Sequence, residues 1–144
     1  MESGLLLPDT EDPDAAPFWE GTARGELLVQ VCASCGARRM PPRPMCPACQ
    51  SVASRWEPTS GRGAIWSFIV PHPPLLPAYA ELAPYNAVVV ALDEDPAVRF
   101  VGNLVGSADS PINEIDPATI AIGDPVRVVF SHVEEVVLPR WVRA

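Results

Sequence analysis

The chain has 144 residues, 48% of them hydrophobic, and a formal net charge of −8 at pH 7. Its length fits a single domain, or two small modules, with enough apolar residues to bury a core. The negative charge argues against a nucleic-acid partner, because phosphate contacts dominate affinity in that class of protein. No apolar stretch is long enough to span a bilayer and no signal peptide is visible, so we expect no membrane association and a cytoplasmic location.

Residues 1–25 predict an N-terminal arm followed by a short helix. The first 14 residues are acidic and contain proline, and we expect them to be extended or poorly ordered. The helix is expected to begin near Asp14 or Ala15 and to end at the glycine that closes the segment. Phe18 and Trp19 lie in this helix and are candidate partner-binding residues, because aromatic anchors are typical of interfaces. Packing of both rings on the domain itself is the alternative.

Residues 26–60 predict a zinc ribbon, which is a β-hairpin held by a metal ion. The four cysteines of the chain form two Cys-x-x-Cys motifs separated by ten residues: Cys32, Cys35, Cys46 and Cys49. Two thiolates at this spacing reach one small cation, and two such pairs complete the sulfur tetrahedron that Zn²⁺ accepts. A filled tetrahedron leaves no position for water or substrate, so we expect one Zn²⁺ ion with a structural role. Three short strands are expected around it, at 26–31, 36–40 and 55–58.

Other uses of these cysteines agree less well with the sequence. Disulfides need an oxidising compartment, and no signal peptide is visible. A dithiol redox site normally has one Cys-x-x-Cys motif at a βαβ junction rather than two motifs in a proline-rich hairpin. Iron is the main remaining alternative, because a tetrahedron of thiolates also suits iron.

Positive charge is concentrated around the predicted ribbon. Residues 24–62 contain six arginines and two glutamates, whereas residues 63–144 contain four arginines and ten acidic residues. A local basic patch suits a phosphate group or an acidic partner surface. Arg38, Arg39 and Arg43 are therefore candidate partner-binding residues, although arginines on a small exposed knuckle are equally well explained as solvated charges.

Residues 61–144 predict a small β-barrel. A long proline-rich loop follows the first strand and one or two helical turns are expected within 112–122; the strands are expected at 64–70, 85–92, 98–105, 126–130 and 133–142. Periodicity alone supports a small all-β barrel or sandwich, but five strands with a small helix after the third is the order of an OB-fold. The expected fold class is thus mainly β: a short N-terminal helix, a rubredoxin-like zinc ribbon and a C-terminal OB-fold barrel.

No set of catalytic residues is apparent in the sequence. No cysteine remains outside the predicted metal site, and no serine lies in a nucleophile-elbow context. His72 lies in the proline-rich loop and His132 follows a strand. The acidic pairs lie at expected turns, where solvated charge is the simpler explanation. We therefore predict no catalytic residue and expect that the chain is not an enzyme by itself.

Several motifs together resemble a known family. Phe18-Trp19-Glu20-Gly21 precedes the first Cys-x-x-Cys motif and Pro41-Pro42-Arg43-Pro44 precedes the second. Gly61-Arg62-Gly63 and Ile122-Gly123-Asp124-Pro125-Val126 follow in the predicted barrel. From about Asp14 to the C-terminus, the chain is similar to the zinc-ribbon and OB-fold proteins that accompany thiolases and other acyl-CoA enzymes.

This resemblance implies a non-catalytic accessory subunit that binds and stabilises a thiolase-like enzyme in a hetero-oligomer and helps to place the CoA thioester. One branch of the family is fused or bound to a MaoC-type hydratase and partners a thiolase-like aldolase in steroid side-chain degradation. The complex would be an acyl-CoA lyase or acyltransferase whose active cysteine, histidine and base come from the partner. The four cysteine ligands carry over to this sequence. A free subunit and a piece of a longer fusion both stay open.

A nucleic-acid-binding module is the second interpretation, since zinc ribbons and OB-folds both serve that role. Such a site needs stacking aromatic side chains on a basic face. The net charge of −6 over residues 63–144 argues against it. A stand-alone acyl-CoA binder is a third interpretation.

Overall fold

The computed structural model describes residues 4–144, and its first element is the predicted short helix, α1 (Ala16–Ala23). Pro17 lies in the first turn, where its missing N–H removes no helical hydrogen bond. Gly25 follows the C-cap residue Arg24 and turns the chain out of the helix with a φ of 80°, which glycine adopts without strain. The N–H of Glu26 then donates to the carbonyl of Gly21 at 2.9 Å, which turns the chain into the ribbon.

The N-terminal arm packs on the barrel over the part that the structure describes. Leu5 lies against a small apolar cluster that includes Leu82, Tyr85 and Ile112. The backbone N–H of Leu6 donates to the hydroxyl of Tyr79 at 3.0 Å. Residues 1–3 of the predicted arm lie outside the described residues.

The ribbon is a three-stranded antiparallel sheet in the order β2-β1-β3, formed by β1 (Leu28–Cys32), β2 (Arg38–Arg39) and β3 (Ser54–Pro58). Every residue of β1 is buried. The polar side chain of Gln30 is buried on this strand because both ends of its carboxamide are hydrogen-bonded. Its NH₂ group donates to the carbonyl of Arg43 at 3.0 Å, and its oxygen accepts from the N–H of Arg43 at 2.8 Å. These bonds tie the central strand to the chain that enters the second Cys-x-x-Cys motif.

Five antiparallel strands in the order β6-β5-β4-β7-β8 form the barrel. A short helix α2 (Pro77–Ala80) lies in the proline-rich loop, and a 3₁₀ turn (Pro117–Thr119) follows the third barrel strand. The predicted OB-fold order is confirmed, and the helical segment expected within 112–122 is a single 3₁₀ turn. The strands are β4 (Arg62–Ile69), β5 (Ala87–Leu92), β6 (Asp95–Gly102), β7 (Pro125–Val133) and β8 (Val136–Arg143).

The two outer strands of this sheet, β6 and β8, close the barrel just beyond the end of β6. The N–H of Val105 donates to the carbonyl of Trp141 at 2.8 Å, and the N–H of Trp141 donates to the carbonyl of Asn103 at 3.0 Å. The fully buried Asn86 binds the backbone of Leu104 through both ends of its carboxamide, at 3.0 and 2.7 Å. Because its carboxamide is hydrogen-bonded at both ends, burial of Asn86 costs little free energy. These bonds hold the barrel closed at this point.

One hydrophobic core joins the ribbon, the helix and the barrel. Leu27, Val29 and Val31 of the ribbon segment belong to the same buried cluster as Phe18 of α1. The barrel contributes Ile65, Val88, Val90, Leu92, Val98, Phe100, Leu104, Ile120, Val126 and Trp141 to that cluster. The boundaries drawn at residues 25 and 60 stay a prediction, because the core continues across both of them.

Polar contacts support the junction between the ribbon and the barrel. Both the N–H and the hydroxyl of Ser60 donate to the carboxylate of Glu94 at 2.7 Å, and Arg38 forms an ion pair with Asp95 at 3.4 Å. Glu94 lies in the turn between β5 and β6, and Asp95 is the first residue of β6. The ribbon therefore contacts the edge of the barrel sheet at the start of β6.

Within residues 4–144, no helix has the length and apolarity needed to cross a bilayer.

Candidate functional site

The four cysteine Sγ atoms converge at the tip of the ribbon. Cys32 and Cys49 place their Sγ atoms 3.5 Å apart, and Cys35 and Cys46 place theirs 3.7 Å apart. All four Sγ atoms lie within 4.8 Å of one another. A tetrahedron with Zn–S bonds of about 2.3 Å has sulfur–sulfur edges of about 3.8 Å. The separations of 3.5 and 3.7 Å lie close to this edge length, so the thiolate set fits one zinc ion.

The two Cys-x-x-Cys motifs have the same backbone shape. In the first motif, the N–H of Cys35 donates to the Sγ of Cys32 at 3.4 Å, and Gly36 follows with a φ of 79°. In the second motif, Gln50 takes the equivalent position with a φ of 66°, and its N–H donates to the carbonyl of Cys46 at 2.8 Å. A left-handed residue after each motif turns the chain back so that both thiols face the metal.

Backbone N–H groups prepare two of the thiols for metal binding. The N–H of Cys35 is the largest influence that lowers the pKa of Cys32, to about 6. The N–H of Cys49 is the largest influence that holds the pKa of Cys46 below its ordinary value. Metal ions bind the thiolate rather than the thiol, so these hydrogen bonds favour the binding-competent form. The ribbon thus presents a soft, closed and partly preformed ligand set.

The three predicted partner-binding arginines occupy different environments. Arg38 is partly exposed and pairs with Asp95. Arg39 is buried, and its guanidinium donates to the carbonyl of Arg43 at 2.9 Å. The side chain of Arg43 is exposed. Arg39 therefore stabilises the knuckle from inside, and the partner-binding prediction for this cluster depends on Arg38 and Arg43.

The two predicted aromatic anchors also differ in burial. Phe18 is buried in the core and stacks on Phe100, with ring centroids 6.4 Å apart. Trp19 is half-buried and meets the edge of the Phe18 ring, with centroids 4.9 Å apart. Phe18 is thus packed within this chain, while part of the Trp19 side chain stays exposed, and a partner-binding role for either ring stays a prediction.

An apolar cleft of about 490 Å³ lies beside Trp19, between α1, the loop after β2 and the two outer barrel strands. Its ionisable lining residues are two arginines, Arg99 and Arg140. This cleft has no local signal in the sequence, because its walls come from four distant segments. The walls are formed by Ala15, Phe18 and Trp19; Met40, Pro41 and Pro42; Arg99 to Asn103; and Leu138, Pro139 and Arg140.

A four-cysteine zinc ribbon joined to an OB-fold barrel defines the class of this protein. Residues 19–52 match the family described as the ChsH2 rubredoxin-like zinc ribbon domain, and residues 56–131 match the ChsH2 C-terminal OB-fold domain. The chain belongs to the ChsH2 family, and it holds one structural zinc ion in the ribbon.

Known proteins of this family are components of larger assemblies. The 3-oxo-4,17-pregnadiene-20-carboxyl-CoA hydratase alpha subunit of Mycobacterium tuberculosis is 35% identical over 94% of this chain, which spans 42% of that relative. A DUF35 domain-containing scaffold protein of Methanothermobacter thermautotrophicus is 34% identical over 78% of this chain and 77% of its own length.

A solved structure described as the Ltp2-ChsH2(DUF35) aldolase contains a chain with the same fold. That chain is 34% identical to this one, with a TM-score of 0.78 over 94% of this chain and 98% of its own. The likeness therefore covers the ribbon and the barrel together.

Proposed function

We propose that this chain is a non-catalytic accessory subunit that binds and stabilises a thiolase-like acyl-CoA enzyme, either a thiolase or a retro-aldol lyase. The observation that carries the proposal is the match to the ChsH2 chain of an aldolase complex, which extends over nearly the whole of both chains. The name of the mycobacterial relative supports a steroid side chain as the acyl group. The words "hydratase alpha subunit" in that name support a MaoC-type hydratase domain as a second partner.

The chemistry of the cleft supports a role beside an active site rather than as one. Most of its lining residues are apolar, and the exposed Arg99 suits an anionic group better than it suits acid–base work. In the proposed complex the partner supplies the nucleophile and the base. The half-buried Trp19, which lines the cleft, contacts the partner.

The cleft is also our candidate for placing the CoA thioester. Its apolar walls fit a pantetheine arm or an acyl chain, and Arg99 at its edge fits an anionic group of CoA. Titration of the purified chain and of its complex with CoA, followed by calorimetry, tests this part. If neither binds CoA, the thioester is placed by the partner alone.

Coexpression tests the proposed function itself. The chain is expressed with individually cloned thiolase-like proteins of the same organism, and complex formation is measured by size-exclusion chromatography with light scattering. We expect one of these enzymes to be poorly soluble or inactive alone and to recover on coexpression with an intact ribbon. The purified chain alone should neither cleave nor condense acyl-CoA thioesters. Thioester turnover by the chain alone, or a thiolase-like set in which none forms a complex, would contradict the proposal.

A further inference from the structure

The exposed side of the barrel sheet carries positive charge although the whole chain has a net charge of −8. We call this surface the outer barrel face: the solvent side of β4, β5 and β6 with the start of β7. Six residues define it: Arg62, Trp66, Ile69, Arg99, Val101 and Arg127. All six are exposed.

Strand register places these residues on one side of the sheet. Ser67, Val89 and Val101 form one cross-strand row, and Ala64, Ala91 and Arg99 form another. The inward positions that alternate with these rows, such as Val90 and Phe100, are buried in the core. Because side chains alternate between the two faces of a sheet, Val101 and Arg99 share the outer side.

Large apolar side chains are unusually exposed on this face. Trp66 is 50% exposed, Ile69 62% and Val101 72%, whereas the residues between them in the rows are small or half-buried. The guanidinium carbon of Arg99 lies 3.7 Å from the centroid of the Trp66 ring, at a bulge of β4. Three large exposed apolar side chains on one sheet face, together with arginines, are typical of an interaction site.

The charges of the outer barrel face are left without acidic partners in the part of the chain that the structure describes. β4, β5 and β7 contain no acidic residue, and Asp95 of β6 is paired with Arg38 of the ribbon. Arg62 and Arg127 lie directly opposite each other on β4 and β7. Like charges in this position are destabilising, so the chain keeps an unfavourable pair that a partner carboxylate would neutralise.

We propose that the outer barrel face docks the thiolase-like partner, against a surface that combines apolar side chains with carboxylates. This inference rests on the proposed function. Charge complementarity favours a partner surface that carries carboxylates, because the outer barrel face is cationic although the whole chain is acidic. The face is also continuous with the cleft beside Trp19, since Arg99 and Val101 line both. The aromatic and arginine content resembles that of interface centres.

A pair of valines tests the apolar part of the face. Val101 on the barrel face and Val52 in the ribbon are 72% and 73% exposed, so the same substitution has the same cost in solvation at both sites. In the coexpressed complex, Val101→Glu should raise the Kd for the thiolase-like partner about tenfold or more. Val52→Glu should leave the Kd within about twofold. The melting temperature of each free variant controls for folding.

A charge reversal tests the cationic part independently of folding. Arg127→Glu replaces a like-charge pair with an opposite-charge pair opposite Arg62, so the free chain should keep or raise its melting temperature. The same variant should slow association with the partner about tenfold, and the difference from the wild type should shrink at high salt. Arg24→Glu is the control, because Arg24 is exposed at the end of α1 and pairs only locally with Glu26 in the described structure.

The outcomes separate this inference from the proposed function. If the wild-type chain forms no complex with any thiolase-like protein, both fall. If the complex forms but Val101→Glu and Arg127→Glu bind like their controls, the proposed function stands and the docking face is wrong. Salt-sensitive binding of an oligothymidine 20-mer that Arg127→Glu abolishes would instead make the face a nucleic-acid site. A wild-type dimer that the same variant converts to a monomer would make it a self-association face.

Discussion

Gly36 and Gln50 occupy equivalent positions after the two Cys-x-x-Cys motifs, but only glycine adopts the backbone conformation of this position without strain. Both follow the second cysteine of a Cys-x-x-Cys motif and both have a positive φ, of 66° and 79°. An L-residue with a Cβ is strained in this region, whereas glycine is not. The second knuckle therefore holds a strained residue at a site whose purpose is to aim thiolates at the metal.

Substitutions at these two positions should change the stability of the chain in opposite directions. Gln50→Gly should stabilise the zinc-bound chain by about 0.5–1 kcal/mol, because relief of the left-handed strain exceeds the added flexibility of the unfolded chain. Gly36→Ala should destabilise it by about 1 kcal/mol, since a Cβ at Gly36 meets no atom within 4 Å and only the φ is unfavourable. Urea unfolding with zinc in excess measures both. Equal signs for the two variants would contradict this account.

Trp19 is predicted to contribute to the affinity for the thiolase-like partner. Trp19→Ala should weaken binding of the thiolase-like partner by about 2 kcal/mol or more while the zinc content stays at one ion per chain. Trp56→Ala is the matched control, because Trp56 is also half-buried against the same core but was not assigned to the interface. If Trp19 only covers the core, both variants will lower the melting temperature and neither will change the affinity.

At the scale of elements, Glu94 joins the β5–β6 turn to the segment between ribbon and barrel. Burial raises the pKa of this carboxyl, but hydrogen bonds from Ser60 and the charge of Arg38 outweigh it and hold the pKa below its ordinary value. A lowered folded-state pKa means that the stabilisation is present above the unfolded-state pKa, about 4.3, and is lost as the pH falls through the folded-state value. The junction is therefore complete at neutral pH.

Removal of this carboxylate should loosen the junction. Glu94→Ala should lower the stability of the chain at pH 7 by about 1 kcal/mol, the usual net contribution of such hydrogen bonds. Asp93→Ala removes the same charge one residue earlier, from a side chain that makes no hydrogen bond or ion pair within residues 4–144, and should change the stability by less than about 0.5 kcal/mol. Thermal unfolding measures the stability of both variants. Equal losses of stability would show that the net charge of the turn, and not the hydrogen bonds of Glu94, determines the effect.

The elements themselves could be predicted from the sequence because their signals are local. The spacing of the four cysteines predicts a ribbon, and the short apolar run of β5 and the alternation of Val98, Arg99 and Phe100 in β6 predict strands. The charge of the barrel could not be predicted in the same way. A sum of −6 over residues 63–144 hides the fact that Arg99 and Arg127 lie on one face, because only strand register determines which residues share a side.

Burial differs within the two adjacent pairs of residues that the sequence predicts to bind a partner. Phe18 and Trp19 are adjacent and chemically alike, but neighbouring helix positions face different directions, so Phe18 is buried in the core and Trp19 is half-buried, while both rings line the cleft. Arg38 and Arg39 are adjacent on a strand, and the pleat sends one outward and the other inward. Composition alone does not distinguish the members of such pairs.

At the scale of the whole molecule, the ribbon and the barrel depend on each other. The ribbon places Leu27, Val29 and Val31 in the barrel's own core cluster. Each buried side chain of this kind contributes about 1.5–3 kcal/mol, so loss of all three removes about 5 kcal/mol or more. That is comparable with the entire stability of an ordinary domain, about 5–15 kcal/mol.

Zinc removal should therefore destabilise the barrel, which contains no metal ligand, as well as the ribbon. A strong chelator unfolds a structural zinc site because its binding free energy is folding free energy. We expect the zinc-bound chain to unfold in one thermal transition, and the chelated chain to lose protection from hydrogen exchange in β5 together with the ribbon. Cys46→Ser should reproduce this loss without chelator, and Ser34→Ala, a nearby exposed change outside the ligand set, should not. A barrel that keeps full protection in β5 after zinc removal would show that the two parts fold independently.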